Sequence, residues 1–107
     1  MVSLVGQLNS EYLLYEEEIT MTKVIYRKDS ATKEVIAFLP EVEALWGNIM
    51  MYVHNGQHSE ADLLYYKWNT KAASEEEYKA LHNELNGIYD NQLVIRRRLN
   101  RNDLNWR

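Results

Sequence analysis

Residues 74–86 read SEEEYKALHNELN, and they carry the strongest secondary-structure signal in the chain. Ser74 is followed three positions later by Glu77, which is the capping-box pattern found where helices begin. Apolar residues then recur at helical spacing, at Tyr78, Leu81, Leu85 and Ile88. A helix with one apolar stripe packs that stripe against another element. We therefore predict an amphipathic helix over Ser74–Asn86 that ends near Gly87.

Three stretches that resemble β-strands precede this helix, and one follows it. They are Lys23–Lys28 (KVIYRK), Glu34–Leu39 (EVIAFL), Asn48–His54 (NIMMYVH) and Gln92–Leu99 (QLVIRRRL). Each is rich in the β-branched and aromatic residues that favour strands. The first two are separated by turn residues and are predicted to form a hairpin. Between the third strand and the helix, Leu63–Trp68 is a short helix or a strand, and Asn69–Ala73 is predicted to be a loop.

This order of elements predicts an α+β fold: a small antiparallel sheet with one main helix, in the C-terminal half, packed on one face. Such a sheet has an open edge, and pairing with a second copy is a common way to bury it. We therefore expect a homo-oligomer, a dimer or higher.

The chain of 107 residues divides into an N-terminal appendage, residues 1–20, and a single α+β domain, residues 21–107. Asn9 or Ser10 would cap a short helix in the appendage. Two interpretations remain open: Met21 is an alternative start, or the N-terminal helix docks on the domain.

Composition and charge exclude several classes of protein. The chain has no cysteine, so it has no disulfide framework and no thiolate metal site. The N-terminus lacks a basic signal-peptide region, and no apolar run is long enough to span a membrane, so we expect a cytoplasmic protein. Residues 96–107 hold five arginines and one aspartate, so their formal charge is +4. Because the net charge of the chain is −4, the other 95 residues have a formal charge of −8. The acidic body disfavours binding to duplex nucleic acid.

The polar stretch at residues 54–60, HNGQHSE, is the first candidate site. His54 and His58 have the His-x-x-x-His spacing of a helical zinc site, but Asn55 and Gly56 argue against a helix there, so we predict no metal. In a ligand loop, Gly56 would let the backbone approach the ligand closely. The polar groups of Gln57, His58 and Ser59 would meet ribose or base edges, and a helix beginning near Ser59 would favour a phosphate. An ordinary turn facing water is an equally good interpretation.

Arginines and aromatic residues complete the candidate site. Arg96 and Arg98 would share one face of the last strand, with Arg97 on the other, and guanidinium groups match phosphates in two-point contacts. Tyrosines and tryptophans near the glycine loop can stack on bases. The predicted ligand-binding residues are His54, Gly56, Gln57, His58, Ser59, Tyr52, Tyr65, Arg27, Arg96 and Arg98. No catalytic motif is present, so we predict a binding protein without a cofactor rather than an enzyme.

Several pieces of the chain resemble a family of small proteins from phages and prophages of gut bacteria. The pieces are VIYRK, EVIAFLPE, IMMYVHNGQHSEAD, SEEEYKALHNEL and LVIRRRL. The resemblance covers Met21–Leu99, and its most specific part is the H-x-G-Q-H-S-E-A stretch at His54–Ala61. It supplies no catalytic residue.

What the resemblance implies is a context, the cytoplasm of a host bacterium, in which small phage proteins often inhibit defence. The leading hypothesis is sequestration of a nucleotide-derived immune signal, a cyclic ADP-ribose derivative or a cyclic nucleotide. An alternative is a protein–protein inhibitor of a host defence effector, using the acidic Glu75–Glu77. A metal-dependent enzyme using His54 and His58, and a structural domain without a ligand, are the remaining alternatives.

Overall fold

The computed structural model describes residues 21–54 and 56–104, so the predicted N-terminal appendage lies outside the described residues. Its strands are β1 (Thr22–Asp29), β2 (Val35–Leu39), β3 (Asn48–Tyr52), β4 (His58–Asp62), β5 (Thr70–Ala72) and β6 (Leu93–Arg96). Its helices are α1 (Leu63–Asn69) and α2 (Glu75–Ile88), followed by a 3-10 helix at Arg101–Leu104.

The strands form one sheet in the order β4-β3-β2-β1-β5, and β6 also pairs with β1. Every pairing is antiparallel except that of β1 with β6, which is parallel. The predicted α+β class is confirmed, with a small sheet and the main helix in the C-terminal half.

One edge of β1 is divided between two strands. β6 pairs with its first half, where Ile25 lies opposite Arg96, and β5 pairs with its second half, where Arg27 lies opposite Ala72. The two partner strands therefore end close together beside Tyr26, whose carbonyl accepts a hydrogen bond from the Ala73 N–H at 3.2 Å. We call this place the edge break. Beyond it, the chain after β5 enters α2, and the chain after β6 crosses to Leu99, which packs on the opposite face of the sheet.

Helix α2 covers one face of the sheet, as predicted. Leu81 and Leu85 from the helix pack on a buried cluster that includes Val24, Leu39 and Tyr52. Ser74 caps the helix and forms the predicted capping box with Glu77. The helix continues past Gly87 to Ile88 and ends where the Tyr89 N–H donates to the Leu85 carbonyl at 3.0 Å.

Helix α1 covers the opposite face, which resolves the open choice for residues 63–68 in favour of a helix. Asp62 caps it by accepting a hydrogen bond from the Leu64 N–H at 2.8 Å. Tyr66 is buried and meets Phe38 edge to face, with ring centroids 5.0 Å apart. The sheet is therefore covered by a helix on each face, whereas only one packed helix was predicted.

Several predicted loops are strands in the structure. The stretch predicted as a polar loop contains β4, and the loop predicted at Asn69–Ala73 contains β5. The third strand ends at Tyr52 rather than His54, and the last strand ends at Arg96 rather than Leu99. β4 and β5 gain their backbone hydrogen bonds from a neighbouring strand, and most of their side chains are exposed, so neither shows an apolar pattern.

The C-terminal segment is held to β1 by a partly buried ion pair between Lys23 and Asp103. The Asp103 carboxylate is 2% exposed; it lies 2.7 Å from the Lys23 ammonium and accepts the Asn100 N–H at 3.0 Å. The Glu41 carboxylate lies 3.9 Å from the same ammonium and is 40% exposed.

Asp103→Asn is expected to lower the free energy of unfolding by roughly 1–3 kcal/mol, because a charge-assisted hydrogen bond is lost while the side-chain shape is kept. Urea denaturation at pH 7 measures this change. The matched control is Glu41→Gln, which weakens the exposed pair and should cost less than about 1 kcal/mol. Equal effects of the two variants would contradict the assignment of Asp103 as the main contact.

Candidate functional site

The structure separates the predicted site residues into two main groups. Tyr26, Ala37, Tyr52 and His58 lie opposite one another in one row across four strands. Neighbouring strands are about 4.8 Å apart, so this row spans roughly 14 Å. Arg27 follows Tyr26 on the strand and points to the opposite face. One copy of the chain therefore does not place the glycine loop and the arginines in a single pocket.

Tyr52 joins the β3–β4 hairpin to α2. Its side chain is fully buried, its hydroxyl donates to the Glu84 carboxylate, and the same hydroxyl accepts the Gly56 N–H at 3.0 Å. Burial, and then the bond to Glu84, raises the pKa of Tyr52. Gly56 has a φ of 73°, in the left-handed region that glycine adopts readily. Tyr52 and Gly56 are thus hydrogen-bonded to each other, so the Gly56 N–H already has an acceptor within the protein.

Two further hydrogen bonds join the same row to α2 and the residue after it. The Tyr26 hydroxyl is bonded to His82 Nδ1 at 2.7 Å, and His58 Nε2 is bonded to the Tyr89 hydroxyl at 2.9 Å. The sequence left open a helix start near Ser59; the structure has β4 at His58–Asp62, and the following helix is capped by Asp62. This row favours the ordinary-turn interpretation for the glycine loop.

The remaining predicted loop residues, His54, Gln57 and Ser59, have exposed side chains. Asn55, which precedes Gly56, lies outside the described residues. The described part of the loop therefore presents polar groups to solvent, and its residues are not among those that line the two cavities at the arginines.

Tyr65 lies apart from the glycine loop and fixes α1 to the turn that joins β1 and β2. Its hydroxyl donates to Asp29 Oδ2, while Asp29 Oδ1 accepts the N–H groups of Ala31 and Thr32, each at 2.8 Å. The bond from Tyr65, followed by these backbone bonds, lowers the pKa of Asp29 to about 2. Burial, and then the bond to Asp29, raises the pKa of Tyr65 to about 12.

The lowered pKa of Asp29 predicts an acid-sensitive contribution to stability. The carboxylate stabilises the fold fully above its ordinary pKa of 3.8, and this contribution is lost as the pH falls towards 2. Tyr65→Phe removes the main cause, so this variant should lose less stability between pH 4 and pH 2 than the unmodified protein. Urea midpoints at pH 7, 4, 3 and 2 measure the difference.

Tyr89→Phe is the control for this prediction, because it removes a hydroxyl that is bonded to His58 and not to Asp29. It should show the same acid sensitivity as the unmodified protein. If Tyr65→Phe also shows that sensitivity, the tyrosine does not determine the pKa of Asp29.

Arg27 lies at the edge break with its guanidinium held in place. Its Nε donates to Thr70 Oγ1 at 3.0 Å, and its Nη2 donates to the Thr70 carbonyl at 2.7 Å. The guanidinium carbon lies 4.8 Å from the centre of the Tyr66 ring. Because a guanidinium has five N–H groups, three remain beyond these two bonds to the described residues. The group is thus oriented by the protein and keeps donors for an anion.

Two cavities meet at the arginines. The first, about 410 Å³, is next to α1 and is lined by Arg27, Leu63, Leu64, Tyr66, Lys67, Arg97, Arg98 and Leu99. The second, about 620 Å³, is next to the start of α2, and its lining includes Tyr26, Ser74, Glu75, Glu77, Tyr78 and Arg96. Both linings also contain Arg27, Arg97 and Arg98. We call these three residues the arginine ridge, and the cavities the apolar cavity and the polar cavity.

Sequence reasoning identified part of this site. Arg27, Arg96 and Arg98 were predicted together and do line one cavity, but Arg97 was assigned to the opposite face. The strand ends at Arg96 and the chain bends at Arg97 and Arg98, so strand alternation does not apply there. Lys67 was missed because the hydrophobic periodicity of its short segment did not distinguish a helix from a strand. Its place on a helix beside Arg27 follows from the tertiary fold.

Both cavities are lined by four cationic side chains, but only the polar cavity also has acidic side chains in its described lining. Four cationic side chains line the apolar cavity, and none of its described lining residues is acidic. The polar cavity is lined by Glu75 and Glu77 as well as by arginines. Lys28 forms an ion pair with Glu77, and this pair, with the capping bond to Ser74, lowers the pKa of Glu77 to about 2. An anion is therefore favoured at the ridge and disfavoured at the start of α2.

Over residues 21–54 and 56–104, no group of three or more histidines, aspartates or glutamates is arranged to hold a metal ion. Neither described helix has the length and apolar character needed to cross a membrane.

Comparisons with protein-family models, with curated proteins and with solved structures find no significant match to this chain.

Proposed function

We propose that this protein binds a phosphorylated, nucleotide-derived ligand at the arginine ridge and sequesters it without chemical turnover. The observation that carries the proposal is the set of four cations, Arg27, Lys67, Arg97 and Arg98, around one cavity. Guanidinium groups bind phosphate oxygens through paired, charge-assisted hydrogen bonds. The cavity volumes of about 410 and 620 Å³ lie in the range of small-molecule sites, roughly 300–1,000 Å³.

Binding without turnover is supported by the chemistry of the linings. Among the described residues, neither cavity is lined by a histidine, and the chain has no cysteine. The Ser74 hydroxyl accepts the Glu77 N–H as a helix cap, which engages the hydroxyl in a structural role. The Tyr26 hydroxyl is hydrogen-bonded to His82 Nδ1, but Tyr26 is 4% exposed and stacked on Tyr78, and burial raises the pKa of Tyr26, which disfavours the nucleophilic phenolate.

The biological role we propose is based on the predicted resemblance of the sequence to phage and prophage proteins. We propose that the ligand is a nucleotide immune signal of a host bacterium, and that sequestration in the host cytoplasm counteracts defence. We further propose a homo-oligomer in which β4, at the end of the described sheet, pairs with a second copy.

The test is calorimetric titration of the protein with ADP-ribose, cyclic ADP-ribose, cyclic di-AMP and inorganic phosphate. We expect at least one nucleotide to bind more tightly than phosphate, to raise the Tm, and to be recovered unchanged by mass spectrometry after heat release. If no nucleotide binds, or if the nucleotide is recovered as a product, sequestration is overturned.

A second candidate function, inhibition of a host effector protein, is favoured by exposed tryptophans. Trp46 and Trp68 are 82% and 71% exposed, and Leu64, one turn before Trp68 on α1, is 59% exposed. Large exposed apolar side chains mark interaction surfaces, and tryptophan is enriched among residues that dominate binding energy. A stoichiometric complex with one identified effector that is lost in Trp68→Glu, and kept when Arg97 and Arg98 are reversed, would support this function over sequestration.

A further inference from the structure

We infer that the ligand is an asymmetric nucleotide in which a diphosphate joins a nucleoside to a second, hydroxyl-rich group; this inference rests on the proposed function. The nucleoside base would enter the apolar cavity, the diphosphate would lie on the arginine ridge, and the hydroxyl-rich group would occupy the polar cavity. ADP-ribose has this chemistry, whereas a cyclic dinucleotide carries two similar halves.

The apolar cavity suits a flat, uncharged ring. Leu63, Leu64 and Leu99 supply its aliphatic wall. Tyr66 also lines it, and Arg27 lies over the Tyr66 ring at 4.8 Å, so the guanidinium presents a planar cationic surface. Guanidinium planes stack on aromatic systems as well as binding anions. A nucleobase would therefore find both apolar contact and a stacking partner here.

The ridge places the anion between the two cavities rather than inside either one. Arg27, Arg97 and Arg98 belong to both linings, so a phosphate bound to them has one substituent directed to each side. Arg96 lines the polar cavity beside them. This number of guanidinium groups is better matched to a diphosphate than to a single phosphodiester.

The polar cavity has carboxylate acceptors for hydroxyl groups, which the described lining of the apolar cavity lacks. Glu75 is exposed in this lining, and a carboxylate accepts hydrogen bonds but repels an anion. Glu77 is already engaged by Lys28 and by the Ser74 backbone N–H, which leaves Glu75 as the acceptor we assign to the ligand. A ribose-like group with neighbouring hydroxyls meets these requirements.

The inference is tested by calorimetry with ADP-ribose, AMP and cyclic di-AMP on Glu75→Gln and Leu64→Gln. We expect ADP-ribose to bind at least tenfold more tightly than AMP or cyclic di-AMP. Glu75→Gln should weaken ADP-ribose at least fivefold and leave AMP unchanged, because only ADP-ribose reaches the polar cavity. Leu64→Gln should weaken ADP-ribose and AMP alike, because both place a base in the apolar cavity.

Glu76→Gln is the matched control, since Glu76 is an exposed carboxylate next to Glu75 that does not line the cavity. It should bind ADP-ribose as the unmodified protein does, and thermal unfolding should show that all three variants fold. Tighter binding of cyclic di-AMP than of ADP-ribose, or equal effects of Glu75→Gln and Glu76→Gln, would overturn the asymmetric ligand while leaving sequestration standing. Absence of binding by every nucleotide would instead overturn sequestration itself.

Discussion

The double variant Arg97→Glu/Arg98→Glu is expected to weaken the binding of ADP-ribose by more than about 100-fold. Both side chains line both cavities, and each would supply charge-assisted hydrogen bonds worth roughly 1.5–3 kcal/mol. Because about 1.4 kcal/mol changes affinity tenfold, the loss of two such contacts alone accounts for this factor. The two introduced carboxylates would add repulsion. Calorimetry in 0.15 M NaCl measures the effect.

The control for this variant is Lys33→Glu/Lys79→Glu, which makes the same change in net charge at exposed positions outside both cavity linings. Screening at this ionic strength limits the reach of exposed charges to about 8 Å, so the control should change affinity by less than about threefold. If both double variants weaken binding equally, the arginines act through overall charge and the site at the ridge is wrong.

Leu85→Ala is expected to lower the free energy of unfolding by roughly 2–5 kcal/mol, which is a large share of the stability of a small domain. Leu85 is fully buried where α2 packs on the sheet beside Leu81 and Leu39. Removing three carbon atoms there leaves a cavity that a sheet held by its own hydrogen bonds cannot readily close. Urea denaturation, with the free energy extrapolated to water, measures the loss.

Leu45→Ala makes the same chemical change at a side chain that is 71% exposed. This control should cost less than about 0.5 kcal/mol, because little apolar surface is removed from the protein interior. A loss at Leu85 as small as the loss at Leu45 would show that α2 is not packed on the sheet as described.

The elements that the sequence predicts well are those whose own residues determine their conformation. Helix α2 was predicted from the Ser74–Glu77 capping box and from its apolar stripe, and both are present in the structure. β1 and β2 are rich in β-branched and aromatic residues, and both were predicted to within one residue at each end. In these segments local preference and tertiary packing favour the same conformation.

The features that were missed, the strand β5 and the parallel pairing of the predicted last strand β6, depend on neighbours distant in the chain. β5 is three residues long, TKA, and it is a strand because it pairs with β1. β6 pairs with β1 in parallel across about seventy residues, an arrangement that its four-residue sequence does not encode. No local pattern reports such a pairing.

The candidate site was half predicted for the same reason. The chemistry of arginine indicated an anion site, and Arg27, Arg96 and Arg98 do lie together. The glycine loop was joined to them because its residues are polar, yet the sheet places it three strands away from β1. The polar groups of Tyr52 and His58 line neither the apolar cavity nor the polar cavity. Tyr52 is hydrogen-bonded to Glu84 of α2, and His58 is hydrogen-bonded to Tyr89.

The edge break would couple binding of the proposed ligand to the docking of β6 against β1. The ridge unites Arg27 of β1 with arginines that follow β6, so it exists only when the last strand has docked against the first. A ligand that bridges these segments binds the closed form and not the form in which β6 has detached. By mass action, saturation at 100 times the Kd would therefore hold the last strand in place with about 2.7 kcal/mol of added stability. The proposed ligand would then hold β6 against β1 and so stabilise the contact between the first and last strands of the described domain.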